Sequence, residues 1–322
     1  MKNMKKQKIV FLDAATVDFG DLSIDEMRAL GSLKAFDHTA PAQIKARLAD
    51  AEIVITNKCI LGRSLFEVLK NLKAVCVTAT GVNNIDLVAA REKKIAVMNV
   101  PGYSTESMVQ GTFSFLLALA CNLEKYNRAV HDGTWSRAES FLCAGYPIRE
   151  INGKTLGIIG YGHIGKRVAQ IAKAFGMKVL VARIPGRKYH DKISRVSFDA
   201  MLRESDFVTI HAPLTDLTRN LISEQVMRKM KRSAFLINMA RGGIVDEKAL
   251  RKALESGRLA GAASDVLTVE PPPLNHVLLG APNFLATPHA VWASLEARRR
   301  LVHEVALNIK SFQKGRPRNR VA

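Results

Sequence analysis

Short apolar runs alternate along this chain with stretches whose apolar positions recur at helical spacing, the pattern of strands and helices wrapped around a mostly parallel sheet. In the amino-terminal third, 9–12, 52–56, 74–78 and 95–99 read as strands, and helices are expected around 23–31, 41–49, 64–71 and 84–92. Val100-Pro101-Gly102 then interrupts regular structure and marks a domain boundary. A long helix over 106–126 is expected next, followed by a second series of strands at 155–159, 178–182, 207–211, 235–238, 260–265 and 284–287. Six strands is the number of a complete dinucleotide-binding sheet. The last helix, 294–313, carries Leu301, Val305, Leu307, Ile309 and Phe312 on an apolar side, and its place beyond the last strand lets it return to the first domain. The expected division is therefore 1–103 completed by 294–322, and 104–293.

Composition fits a globular protein of two domains: 322 residues, 48% hydrophobic and 24% charged. Cys59, Cys76, Cys121 and Cys143 show neither metal-ligand nor redox spacing, so no metal site and a reduced compartment are expected. The start Met1-Lys2-Asn3-Met4-Lys5-Lys6 is basic, but the apolar run after it stops at Asp13, too short for a signal peptide, and a cytoplasmic location is expected. The longest apolar stretch, Phe113 to Cys121, is far below the roughly 20 residues of a membrane helix and reads as buried core. A net charge of +19 raises the question of nucleic acid. The excess is spread through all parts of the chain instead of forming an arm, stripe or recognition motif, so no nucleic-acid partner is expected. A general positive field would still attract an anionic substrate and a phosphate-bearing cofactor.

The motif Gly160-Tyr161-Gly162-His163-Ile164-Gly165 stands between a strand and a helix, the context in which a glycine pattern signals dinucleotide binding. Gly160 would permit the tight turn, Gly162 would let the backbone approach a pyrophosphate, and Gly165 would let helix and strand pack closely. The N–H groups near His163 and Ile164 would meet the phosphates. After the next strand, where an NAD site places an acid for the ribose hydroxyl, stands Arg183, with Arg187 and Lys188 close behind. A cation there accommodates the extra phosphate of NADP, so NADP(H) is favoured over NAD(H).

Three further residues stand in order downstream: Arg241 in Asn238-Met239-Ala240-Arg241-Gly242-Gly243, Glu270 before Pro271-Pro272-Pro273, and His289 after Thr287-Pro288. A fixed cation, a carboxylate and an imidazole are what reduction of a 2-keto acid needs. Each also has a plainer reading: a surface ion pair for Arg241, the start of a turn for Glu270. His211 reads as a packed strand-end residue, while His38, His131, His190, His276 and His303 read as solvated. Trp292 fits either hydrophobic core or the wall of a substrate pocket.

With these segments, and with Ala79-Thr80-Gly81-Val82-Asn83-Asn84-Ile85-Asp86 and His211-Ala212-Pro213-Leu214-Thr215, the chain resembles the D-isomer-specific 2-hydroxyacid dehydrogenase family over nearly its whole length. Tyr146-Pro147-Ile148-Arg149-Glu150, Val269 to Pro273 and Trp292 resemble in particular the bacterial glycerate dehydrogenases, or hydroxypyruvate reductases, of that family. The resemblance implies an α/β protein of two Rossmann-like doubly wound parallel-sheet domains with a cleft between them, the first a substrate domain and the second a dinucleotide-binding domain. It implies reversible, NAD(P)H-dependent reduction of hydroxypyruvate or glyoxylate to D-glycerate or glycolate, and a homodimer formed through the nucleotide domains. Carried over by residue, Arg241 would bind the substrate carboxylate and keto oxygen, His289 would exchange the proton, and Glu270 would hold the other imidazole nitrogen. Thr80 and Gly81 would offer backbone N–H groups to the carboxylate, and Trp292 would line the pocket. Asp265 would contact the nicotinamide side of the cofactor, and Pro213 and Thr218 the adenosine side; Ala240 and Ser107 are further cofactor candidates. The chain departs from the family pattern in the missing acid near Arg183, in Gln110-Gly111 where many members have Glu-His, and in Ser264 where leucine is usual. The same fold also serves nicotinamide-sensing corepressors, an alternative that predicts little turnover.

Overall fold

The computed structural model describes residues 6–322, and the basic segment 1–5 read above lies outside the described residues. Two units make up the chain: the described residues up to Ser104 with Ala293–Ala322, and Thr105–Trp292.

The first unit alternates β1 (Lys8–Phe11), α1 (Asp25–Arg28), β2 (Ser32–Ala35), α2 (Pro41–Leu48), β3 (Ile53–Thr56), α3 (Arg63–Val68), β4 (Ala74–Val77), α4 (Leu87–Glu92) and β5 (Ala96–Met98). Its sheet has the order β2-β1-β3-β4-β5 with every pairing parallel. The sequences of β3 and β4, Ile-Val-Ile-Thr and Ala-Val-Cys-Val, are buried throughout, as continuous apolar strands are when helices cover both faces. On one face Val10, Val54 and Val75 pack with Ile44 and Leu48 of α2, Phe66 of α3 and Ala89 of α4. The sequence reading did not include β2. Its Ser-Leu-Lys-Ala is a largely exposed edge strand, and the pairing of Ser32–Ala35 with Lys8–Phe11, not an apolar run, makes it a strand.

The second unit contains α5 (Thr105–Cys121), α6 (Leu123–His131), β6 (Thr155–Ile159), α7 (His163–Ala174), β7 (Lys178–Arg183), β8 (Val196–Ser197), α8 (Phe198–Glu204), β9 (Phe207–Ile210), α9 (Glu224–Met227), β10 (Phe235–Asn238), α10 (Glu247–Glu255), β11 (Gly261–Ser264) and β12 (Phe284–Ala286). Seven parallel strands lie in the order β12-β11-β10-β9-β6-β7-β8. From β6 the chain winds outward through β7 and β8, then returns to the far side of β6 and continues through β9 to β12. That is doubly wound topology, with its switch point between β6 and β9. The seventh strand missed in the sequence is β8, whose two residues are too few to leave an apolar signature. The single helix expected over 106–126 is broken at Asn122, which takes φ 49°, a left-handed conformation that asparagine tolerates, and donates from Nδ2 to Pro147 O at 2.6 Å. The last helix, α11 (Leu295–Gln313), belongs to the first unit. Ser294 caps it at Ala297 N (3.2 Å), and it buries Leu301, Val302, Val305 and Ile309. Among the described residues no helix is long and apolar enough to cross a membrane, and no group of histidine, cysteine and acidic side chains is placed to hold a metal.

Candidate active site

The loops leaving the carboxyl ends of a doubly wound sheet diverge at the switch point and open a crevice there. The glycine turn leaves β6 at that point, and Gly162 is the N-cap of α7. Gly160 sits at φ 94°, and a Cβ on it would fall 2.5 Å from Ala212 N, just past β9, so the turn packs backbone against backbone. A Cβ on Gly165 would fall 2.1 Å from Gly160 O. Gly162 differs: a Cβ there would meet nothing within 4 Å. Nothing in the protein around it requires the missing side chain, whereas a group approaching the backbone from outside would. The first N–H groups of a helix lack intrahelical acceptors and form its positive end, so the turn fits a pyrophosphate.

At the end of β7, Arg183, Arg187 and Arg195 gather over the ring of Tyr189, with guanidinium carbons 5.7, 5.4 and 4.0 Å from its centroid. Tyr189 is itself fixed, its hydroxyl oxygen accepting from Ile184 N at 2.9 Å. Asp191 pairs with Arg195, Nη2 to Oδ2 2.8 Å, and that hydrogen bond holds its carboxyl down to about 2. The local acid is thereby neutralised, and Arg183 and Arg187 remain as excess positive charge.

On the other arm of the sheet each strand end hands over functional groups. Arg241 follows β10, Asp265 and Glu270 follow β11, and Thr287 and His289 follow β12. His289 Nδ1 lies 2.7 Å from Glu270 Oε2, and the second oxygen, Oε1, accepts from Leu267 N at 2.9 Å. A carboxylate anchored by the backbone thus orients the imidazole and leaves Nε2 as the nitrogen able to meet a ligand. His289 takes φ 53°, with its N–H donated to Thr287 O at 2.9 Å. Asp265, only 1% exposed, accepts at Oδ1 from Thr287 Oγ1 (2.7 Å), Ala290 N (2.9 Å) and Val291 N (3.2 Å). Its Oδ2 is buried with no hydrogen-bond partner among the described residues. Burial pushes the Asp265 carboxyl above its ordinary pKa, against the opposing pull of the Thr287 hydrogen bond, the Val291 and Ala290 amides and the nearby His289. An orphaned oxygen of this kind calls for a donor from a bound molecule, and the carboxamide of a nicotinamide is one.

Asn238 shapes the Arg241 turn, accepting from Ala240 N (3.1 Å) and donating to Arg241 O (2.9 Å). A Cβ on Gly242 would fall 2.0 Å from Leu267 O, so only glycine lets the Arg241 turn touch the loop that carries Glu270. Behind that loop stands Glu247, which the sequence reading missed. Its Oε1 accepts from Thr268 N at 2.7 Å, and its Oε2 lies 3.2 Å from His276 Nε2. His276 Nδ1 in turn accepts from Leu278 N at 3.3 Å, so the solvated reading of His276 is corrected to a shielded brace. The first turn of α10 signals only an N-cap at Asp246; the loop it grips is distant in sequence.

The remaining expected residues fall in several places. His211, at the end of β9, has both ring nitrogens buried without a partner among the described residues, and burial pushes its pKa down to about 3. Thr218 is buried and donates from Oγ1 to Pro213 O at 2.7 Å, so its hydroxyl shapes the turn that presents Pro213. Ser107 is buried in the first turn of α5. Gly111, the departure from the family pattern, gives Val291 its place against α5: a Cβ there would fall 2.2 Å from Val291 Cγ1. Ser264, another departure, is buried and donates to Val266 O at 2.6 Å. Trp292 is half-buried against the core formed with α5 and α7. Thr80 and Gly81 belong to the first unit, on the turn after β4, where Thr80 Oγ1 donates to Val100 O at 2.9 Å.

Residues 113–291 match the family model described as D-isomer specific 2-hydroxyacid dehydrogenase, NAD binding domain. The chain belongs to that family: it is an oxidoreductase acting on the CH–OH group of 2-hydroxy acids, with a nicotinamide cofactor. Among its relatives it is 38% identical to a glycerate dehydrogenase of Methylorubrum extorquens, over 97% of this chain and 98% of the relative. It is also 38% identical to a hydroxypyruvate reductase of Blautia hydrogenotrophica, again over 97% and 98%. Among solved structures, an acyclic imino acid reductase in complex with NADPH and D-Arg superposes with a TM-score of 0.86 at 29% identity, covering 98% of this chain and 100% of that one. None of the three supports the corepressor alternative.

Proposed function

We propose that the protein reduces hydroxypyruvate and glyoxylate, reversibly, to D-glycerate and glycolate, with NADPH preferred to NADH. The observation that carries this reading is the His289–Glu270 pair at 2.7 Å, set at the same sheet edge as the glycine cradle. When bound, the reduced nicotinamide supplies the hydride. His289 gives a proton from Nε2 to the carbonyl oxygen and takes it back in the reverse direction, while Glu270 fixes the orientation of the ring. Arg241 binds the carboxylate and keto oxygen in a two-point contact suited to a planar guanidinium. Thr80 and Gly81 contribute backbone N–H groups to the carboxylate, and Trp292 contributes pocket wall. Gly160, Gly162, His163, Ile164 and Gly165 hold the pyrophosphate. Ala240, Pro213 and Ser107 line the cofactor, and Asp265 receives the carboxamide.

In this reading 1–103 with 294–322 is the substrate domain and 104–293 the dinucleotide domain. The glycerate dehydrogenase and hydroxypyruvate reductase relatives support the choice of acid, and the Arg183–Arg187 charge on Tyr189 supports the choice of NADPH. Leu123, Val130, Trp135, Phe141, Leu142 and Ile148 are large apolar side chains left exposed on the second unit, which supports a homodimer formed through it. Free cysteines at all four positions agree with residence in the cytoplasm. Cofactor oxidation measured with hydroxypyruvate, glyoxylate, pyruvate and phosphonooxypyruvate, using each reduced nicotinamide, tests the proposal. Hydroxypyruvate and glyoxylate with NADPH should give the highest kcat/KM, and Arg183→Ala should cut the preference for NADPH about tenfold, the loss of one charged contact. Equal use of NADH by the parent protein would end the cofactor assignment, and failure of both acids would end the substrate assignment.

A further inference from the structure

We propose that the first unit carries a ligand site of its own, for a small organic anion with an apolar body, in the crevice where β1 and β3 deliver their loops. The sheet order β2-β1-β3-β4-β5 reverses direction at β1, so the loops after β1 and β3 diverge, the topological position at which open α/β sheets bind ligands. A cavity of about 810 Å³ lies there, lined by the loops after β1, β2 and β3 and by α2 and α3. That volume falls within the range of small-molecule sites. None of its lining residues belongs to the proposed catalytic or nucleotide machinery.

The wall is preorganised and its chemistry is one-sided. Asp13, the only acid lining the cavity among the described residues, is turned into the structure: Oδ2 accepts from Lys58 N (2.7 Å) and Thr56 Oγ1 (3.1 Å), and Oδ1 from Asn57 N (2.9 Å). Its charge thus holds the β3 loop in shape instead of facing a ligand. Lys45 and Lys58 line the same space, and Lys45 pairs with no carboxylate among the described residues. Beside them stand Ile44 and Leu65, while Ile60 and Val68 remain 73% and 46% exposed, apolar surface that a ligand would cover. Cationic groups next to uncovered apolar side chains select an anion joined to a hydrocarbon or aromatic body, and select against a free inorganic ion or a neutral polar molecule.

Anilinonaphthalene sulfonate, an aromatic anion, is the probe. It is titrated by fluorescence against the full chain with NADPH at saturation, so that the nucleotide site is filled. The parent protein should show saturable enhancement. Lys45→Glu, which reverses a charge beside the anion, and Val68→Arg, which fills the apolar wall, should each weaken binding about tenfold while leaving keto-acid turnover unchanged. Both positions are exposed, so either variant alone keeps the test sound if the other folds poorly. Absence of saturable binding with NADPH present, or enhancement that survives both substitutions, would overturn the proposal. Because turnover is read in parallel, failure here is distinguishable from failure of the catalytic reading.

Discussion

In the proposed reading, Asp265 serves cofactor binding at a cost to stability. Its carboxyl is buried, one oxygen satisfied three times and the other left without a partner among the described residues. A carboxyl whose folded pKa is raised holds its proton more tightly when folded, so its contribution to stability falls as pH climbs from the unfolded value of about 3.9 through the raised folded value. Above that raised folded value the folded state bears the whole cost of the buried charge. Asp265→Asn keeps the oxygen that accepts from Thr287, Ala290 and Val291 and removes that charge. Its Tm should therefore exceed the parent's near pH 8, and the gap should close as pH falls toward about 4, while NADPH binding weakens. A Tm below the parent's near pH 8 would show that the charge is compensated in the folded state. Residues of this kind were legible in the sequence as types within motifs: Arg241, Glu270 and His289 stood out by their neighbours. What the sequence did not show was orientation, such as the inward-facing oxygen of Asp265 or the shielded ring of His276, because burial depends on which distant segments close over a side chain.

At the scale of elements, strands such as β3, β6 and β10 were readable because burial on both faces leaves an apolar run without alternation, with a polar residue only at one end: Thr56, Thr155 and Asn238. The edge strands β2 and β8 were not, since pairing alone defines them, and the break at Asn122 depends on a contact with Pro147 that lies far along the chain. The glycine turn was readable because strand, turn and helix are contiguous. The brace from α10 was not, because Glu247 grips Thr268 and His276 across a loop. It makes a clear prediction. In Glu247→Gln one oxygen can still accept, but the amide nitrogen would face His276 Nε2, donor against donor, and the loop that presents Glu270 would loosen. Loss of a charged hydrogen bond, worth about 1.5–3 kcal/mol, should lower kcat about tenfold or more with the KM for NADPH unchanged. An unaltered kcat would show that the Glu270 loop holds its position without the brace.

For the molecule as a whole, the second unit lays its functional groups out along one sheet edge in spatial order. His289 and Thr287 follow β12, Asp265 and Glu270 follow β11, Arg241 follows β10, Pro213 follows β9, the glycine cradle follows β6 and Arg183 ends β7. In the proposed reading the order separates a chemical end from a nucleotide end on either side of the switch point, and parallel winding brings it about from segments scattered through the sequence. Assembly belongs to this scale too. Phe141 is 90% exposed and Leu142, next in sequence, 58% exposed, so Phe141→Asp should convert the proposed dimer to a monomer in light scattering; a monomeric parent protein would dismiss the interface. The claim on which the rest depends is that His289, oriented by Glu270, moves the proton. It is tested most directly by comparing His289→Ala with the parent protein in hydroxypyruvate-dependent NADPH oxidation, with NADPH binding measured on the same samples. Turnover should fall by about 10² to 10⁴-fold while NADPH affinity stays within error. Turnover in the variant equal to the parent's would contradict it.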